Sequence, residues 1–186
     1  MQESGVSMSK PVDAAAVLAR WRADAQQLLE RAAPSGVITA EQVAGKTGAQ
    51  VFQAMLAGEL PRALIGDTLD FVLIEAEPGR AVFQGQPLRR HYNPLGSVHG
   101  GWFATLLDSA LGCAVHACLP AGKSYTTAEL KINIVRPLTD KVPLVRAEGK
   151  VIHLGSRMAT AEGRLTGPDG KLYAHASTTC FIFDTP

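Results

Sequence analysis

The chain carries little net charge and no block of like charges: 18 Lys and Arg against 17 Asp and Glu leave +1 with His neutral. That excludes the electrostatic footprint with which a protein finds nucleic acid or an anionic membrane surface. Nowhere do about 18 apolar residues run together, as a membrane-spanning helix needs. The opening MQESGVSMSKPVDAAA lacks the basic segment and apolar core of a secretory leader. Cysteine is scarce and odd in number, at Cys113, Cys118 and Cys180. Cys113 and Cys118 stand about 140° apart around one helix with His116 pointing elsewhere again, so these three do not converge on a metal. The cysteines read as reduced core thiols, and the expectation is a cytoplasmic protein with no metal site and no cofactor. No glycine cluster has the setting of a P-loop or a dinucleotide fingerprint. Ser109 lacks the G-x-S-x-G context of a serine hydrolase. What is present, 46% apolar and 19% charged residues over 186 positions, suits one globular chain with a sizeable core.

The most informative stretch is HYNPLGSVHGGWFATLLDSALGCAVHAC, residues 91–118. It begins as a Pro/Gly loop, reaches His99-Gly100-Gly101, and becomes an apolar run in which Asp108 is the only charged side chain. Apolar residues at 102, 103, 106, 107, 110, 111, 114 and 115 cover nearly the whole circumference at about 100° per residue, which predicts a buried helix. Asp108 shares a narrow stripe with the small residues Gly101, Thr105 and Gly112, where another group can approach. Gly100 and Gly101 leave the first helical N–H groups unshielded, a place suited to a carbonyl oxygen or an anion. The bland alternative is a tight turn into the helix and an acid that finds a partner or solvent. Burial of an unmatched acid costs several kcal/mol, which favours function.

Asn93, His99-Gly100-Gly101 and Asp108, with Asn six residues before the His and Asp nine after it, resemble the signature of hotdog-fold acyl-CoA thioesterases of the phenylacetic acid degradation type. Glu77-Pro78-Gly79, TTAELKINIVRP (126–137), Gly155-Ser156-Arg157 and the segment Ala174 to Phe183 are similar to later parts of that domain, so the likeness covers about residues 60 to 184. The resemblance implies an α+β hotdog fold, with an antiparallel six-stranded sheet wrapped around a long central helix. It also implies an acyl-CoA substrate with coenzyme A as part of it, and a homodimer or a dimer of dimers whose sites form between subunits paired edge to edge.

The rest of the chain agrees with that architecture. Residues 1–60 read as an N-terminal helical extension: a polar, disordered lead with Met8 as an alternative start, an amphipathic helix from Asp13 to Ala32, and a second from Thr39 to about Ala57 that Gly45 and Gly48 could split. The first helix lines up Val17, Leu18, Trp21, Leu28 and Leu29, while its other face mixes both charge signs. That pattern predicts packing on the protein's own core, or a partner subunit's, at the acyl end of a pocket, rather than a membrane anchor. Residues 61–186 read as the hotdog domain, with strands at about 69–77, 80–88, 125–136, 144–153, 157–166 and 171–184.

For thioester hydrolysis the Gly100 and Gly101 amides could polarise the carbonyl oxygen, and Asp108 could attack or activate water. Asn93 could hold the water or the thioester, or could simply shape the turn before Pro94. The resemblance makes His99 an orienting residue at the helix entry. Thr105 is a candidate for substrate contact, and Thr126 for contact with the acyl end across the dimer. Ser156 and Arg157 lie where the resemblance passes the coenzyme A phosphates, and Arg89, Arg90 and Arg136 are further cations for them. Two other classes stay open. A non-catalytic acyl-CoA or lipid-binding hotdog domain needs no acid at 108, and a hydratase would need an Asp/His pair at a different spacing.

Overall fold

The computed structural model describes residues 13–185, so the reading of 1–12 lies outside the described residues. Asp13 caps α1 (Ala14–Arg31), its carboxylate accepting from the Ala15 and Ala16 amides at 3.1 Å each. The second expected helix is two helices. α2 (Ala40–Val43) stops before Gly45, which takes a φ of 70°. Thr47 then starts α3 (Gly48–Ala57) with a capping box of its own, in which Gln50 Oε1 accepts from the Thr47 amide at 2.8 Å. Three further elements were not legible: β1 (Ala33–Ser35), the parallel partner it finds in β2 (Pro61–Arg62), and α4 (Leu64–Leu69). Elements this short display no period for a sequence reading to use.

The main sheet comprises β3 (Phe71–Glu77), β4 (Arg80–Gly85), β5 (Lys123–Ile134), β6 (Val145–Leu154), β7 (Met158–Thr166) and β8 (Leu172–Asp184). It is antiparallel throughout, in the order β3-β4-β6-β7-β8-β5. Its inner face packs on α5 (Gly100–His116), where Phe103, Leu106, Leu107, Leu111 and Val115 are fully buried. This is the expected hotdog arrangement. Small residues opposite the helix let it approach closely: a Cβ on Gly149 would lie 2.4 Å from the Ala110 carbonyl oxygen. Ala159, Ala161 and Ala174 are buried beside it.

α5 is not covered all round. Gly101 is exposed, and Thr105, Asp108, Ser109, Cys113 and His116 are half-buried, so the stripe through Asp108 is the open side of the helix. Part of that stripe is already taken. A Cβ on Gly112 would meet the Tyr125 hydroxyl at 2.6 Å, so Gly112 is small because the Tyr125 ring lies on it.

The N-terminal helices cover the other end of the sheet, with α1, α3 and α4 all packing on the edge strand β3. The apolar face of α1 is narrower than its sequence suggests. Trp21 and Leu28 are buried, Val17 and Leu18 are half-buried, and Leu29 stays 49% exposed. Polar contacts supply the rest of the anchor: the Arg146 guanidinium lies 4.8 Å from the Trp21 ring centroid and 2.7 Å from the Asp24 carboxylate. Arg146, which alternates with inward-facing Val145 and Ala147, is buried because α1 lies over it.

Candidate active site

Asp108 stands midway along α5, and its nearest polar partner comes from β5: Thr127 Oγ1 donates to Asp108 Oδ1 at 2.9 Å. Strand alternation read from Leu130, Ile132 and Ile134 puts residue 126, not 127, on the inner face. A bulge between Thr127 and Glu129 reverses the phase. Thr127 and Tyr125 therefore turn towards α5, while Thr126 is exposed and, within one chain, faces away from Asp108.

Asp108 opens on an apolar cavity of about 190 Å³ between α5 and the N-terminal helices. Phe52, Met55 and Leu56 of α3, Leu28 of α1, and Phe71, Leu73 and Phe83 of the sheet form its apolar wall, with Ser109, Cys113 and Tyr125 near the acid. The Cys113 thiol competes poorly as a nucleophile, because burial and then the Asp108 carboxylate push its pKa up to about 12. Burial likewise holds the Tyr125 phenol well above its usual value. Ser109 gives its hydroxyl proton to the Thr105 carbonyl at 2.8 Å. That leaves Asp108 as the candidate base or nucleophile on this wall.

The helix entry is organised by its own residues. His99 is the N-cap of α5, and its Nδ1 accepts from the Gly101 amide at 2.9 Å. That fixes the imidazole against the helix entry and engages one of the two candidate amides, leaving Gly100 as the donor at the first helical position. Asn93 is committed to its loop: Oδ1 accepts from the Leu95 amide at 2.9 Å and Nδ2 donates to Ser97 Oγ at 3.1 Å. Thr105 returns its hydroxyl to the Gly101 carbonyl at 3.0 Å.

The arginines divide between the two ends of the sheet. Arg136 shares a groove with Asn93, Ser97 and Gly100 at the helix entry. Arg90 pairs with Asp70 through Nε at 2.8 Å, and Arg89 lies over the Tyr92 ring at 5.9 Å. Ser156 and Arg157 are exposed on the β6–β7 turn. The row Met158–Phe181–Thr126 places that turn at the Asp108 end, far from Gly100. One chain thus does not gather all the candidate residues around one point. Among the described residues there is no group of three His, Cys, Asp or Glu that could hold a metal, and no helix long and apolar enough to cross a membrane.

The sequence profile of the thioesterase superfamily matches residues 95–174, which contain α5, β5, β6, β7 and the start of β8. A provisionally named esterase of Saccharolobus solfataricus is 36% identical over 118 residues, covering 63% of this chain and 81% of the relative. The chain belongs to the thioesterase superfamily. Within it, the chain is similar to a solved provisional thioesterase, a phenylacetic acid degradation-related protein of Ralstonia eutropha: 30% identity, a TM-score of 0.64, and 70% of this chain against 98% of that one. The 1,4-dihydroxy-2-naphthoyl-CoA hydrolase of Listeria monocytogenes is 28% identical over 120 residues, 62% of this chain and 93% of the relative. As a superfamily member whose matched profile starts at residue 95, the protein carries α1 to α4 outside that match.

Proposed function

We propose that this superfamily member is an acyl-CoA thioesterase of the phenylacetic acid degradation type, hydrolysing an acyl- or aryl-CoA to the free acid and coenzyme A. The observation that carries the reading is Asp108, held by Thr127 and facing an apolar cavity on the open side of α5. Asp108 takes a proton from water as the water oxygen bonds to the carbonyl carbon, and charge moves to the carbonyl oxygen, which the Gly100 amide receives. Collapse of the oxyanion breaks the C–S bond, and the proton passes to the departing sulfur. Direct attack by the carboxylate, giving a mixed anhydride that water then opens, reaches the same products.

Distance argues that two chains share each site. Gly100 and Asp108 are eight residues apart, about 12 Å along the axis. A carbonyl about 3 Å from both donor and attacking oxygen spans about 7 Å, or about 10 Å where a water stands between it and the carboxylate, short of that separation in either case. The Gly100 amide of one chain therefore serves the Asp108 of its partner, with His99 orienting the helix entry and Arg136, Arg89, Arg157 and Ser156 around the coenzyme A. Edge pairing provides the geometry. β3 is covered by the N-terminal helices, whereas the 12-residue β5 is an edge strand of the described sheet. Exposed Ile152, Leu154, Met158, Phe181 and Phe183 on the sheet give a second dimer an apolar surface. The similarity to the Listeria 1,4-dihydroxy-2-naphthoyl-CoA hydrolase, which acts on a CoA thioester, supports the reading. Free-thiol release measured over short, medium and aromatic acyl-CoAs tests it. Turnover of at least one class supports the proposal, and binding without turnover of any would make the protein a carrier.

A further inference from the structure

The cavity beside Asp108 has a wall from outside the superfamily match. Its far side is Leu28 of α1 with Phe52, Met55 and Leu56 of α3, and these helices precede residue 95, where the profile match begins. The Ralstonia structure is covered over 98% of its length by 70% of this chain, so 30% of this chain has no counterpart there. Resting on the thioesterase reading, we propose that the N-terminal helices form a closed acyl chamber that makes the protein selective for small, neutral, apolar acyl groups: a single aromatic ring with one or two further carbons, or an aliphatic chain of about six carbons.

The size follows from the volume. A cavity of about 150 Å³ takes up a benzene ring, and roughly 30 Å³ is the share of one water-sized group. The 190 Å³ present here therefore holds one ring with little to spare. The chemistry follows from the lining. Among the described residues the one cation on it, Arg62, is engaged: Nη1 lies 2.9 Å from Asp67 Oδ1 and Nε donates to the Ala33 carbonyl at 3.3 Å. An acyl group ending in a second carboxylate finds no free charge partner and meets Asp108 as a like charge. The position of the wall is fixed by packing, since Phe52 meets the His116 ring edge-on at 5.2 Å and a Cβ on Gly48 would lie 1.8 Å from the His116 carbonyl oxygen. The chamber therefore has an end, and Phe52 and Met55 set it.

The test uses the full chain with acetyl-, hexanoyl-, dodecanoyl-, phenylacetyl- and glutaryl-CoA. Wild type should favour hexanoyl- and phenylacetyl-CoA over dodecanoyl- and glutaryl-CoA by at least about tenfold in kcat/KM. Phe52→Ala should move the dodecanoyl-to-hexanoyl ratio upward by about tenfold, and Met55→Trp should move preference towards acetyl-CoA. A Met55→Trp protein that melts like wild type keeps the test valid where Phe52→Ala does not fold. If wild type turns over acyl-CoAs but neither substitution changes the ratios, the cavity is only a packing void and the proposal fails. If wild type turns over none of them, the hydrolase reading fails, and equilibrium binding decides the chamber. Tighter binding of hexanoyl- than dodecanoyl-CoA, reversed in Phe52→Ala, upholds it, and equal binding overturns it.

Discussion

The Thr127 hydroxyl donates to one oxygen of Asp108, at 2.9 Å, and so fixes the plane of the carboxylate while leaving its other oxygen for chemistry. Thr127→Val keeps the shape and removes the donor. kcat should fall by about tenfold, on the scale of losing one hydrogen bond to a charged group. KM should change little. Thr127→Ser, which restores the donor, should recover most of the rate. An unchanged kcat in the Val variant would remove Thr127 from the positioning of the acid.

A shared site predicts complementation. Gly100 is the first helical residue and His99 before it has φ −64° and ψ 140°, a backbone that accepts a following proline. Gly100→Pro therefore deletes one N–H with little cost to the helix, and turnover should drop by about 100-fold or more. Refolded together in equal amounts, Gly100→Pro and Asp108→Asn chains should regain about a quarter of wild-type activity, because half of the dimers are mixed and each mixed dimer has one intact site. No recovery on mixing would place both groups in one chain's site.

The anchor of α1 can be tested apart from the chemistry. Trp21→Ala removes a buried ring that also carries the Arg146 cation. It should cost about 3 kcal/mol, seen as a lower melting temperature. Hydrolysis of acetyl-CoA at 25 °C should persist. An unaltered melting temperature would mean that α1 adds nothing to the stability of the fold.

The legible parts of this molecule are those with a long period or a spaced signature. The apolar repeat from Trp102 to Val115 and the acid within it placed α5 and Asp108. The alternation in β6, β7 and β8 placed the inner face of the sheet. Asp13 placed the start of α1, and its carboxylate does cap it. The illegible parts are those where one residue changes the phase or a partner comes from far along the chain. The bulge before Glu129 hid Thr127 and Tyr125. Arg146 looked solvent-facing because nothing in strand alternation announces that a helix 122 residues earlier will cover it. The commitments of Gly101 to His99 and of Asn93 to Ser97 are local hydrogen bonds that a motif spacing does not display.

Acid should loosen the α3–α5 contact. Burial holds the His116 imidazole below its usual value, and burial does the same for His91 against the opposing pull of Asp70. A histidine depressed in the folded state contributes full stability above its unfolded pKa of about 6.5 and loses it as pH falls through the folded value. The melting temperature should therefore decline from pH 7.5 to pH 5, and His116→Asn should flatten part of that decline. A melting temperature that rose on acidification would contradict the burial of neutral imidazoles.

The most direct measurement for the central claim is steady-state free-thiol release by wild type and Asp108→Asn on the best acyl-CoA, with melting temperature and mass checked in parallel. The variant should be equally folded and equally assembled, with a kcat lower by at least about 100-fold, the scale of a lost base or nucleophile. Wild-type turnover by a well-folded Asp108→Asn protein would contradict the central claim.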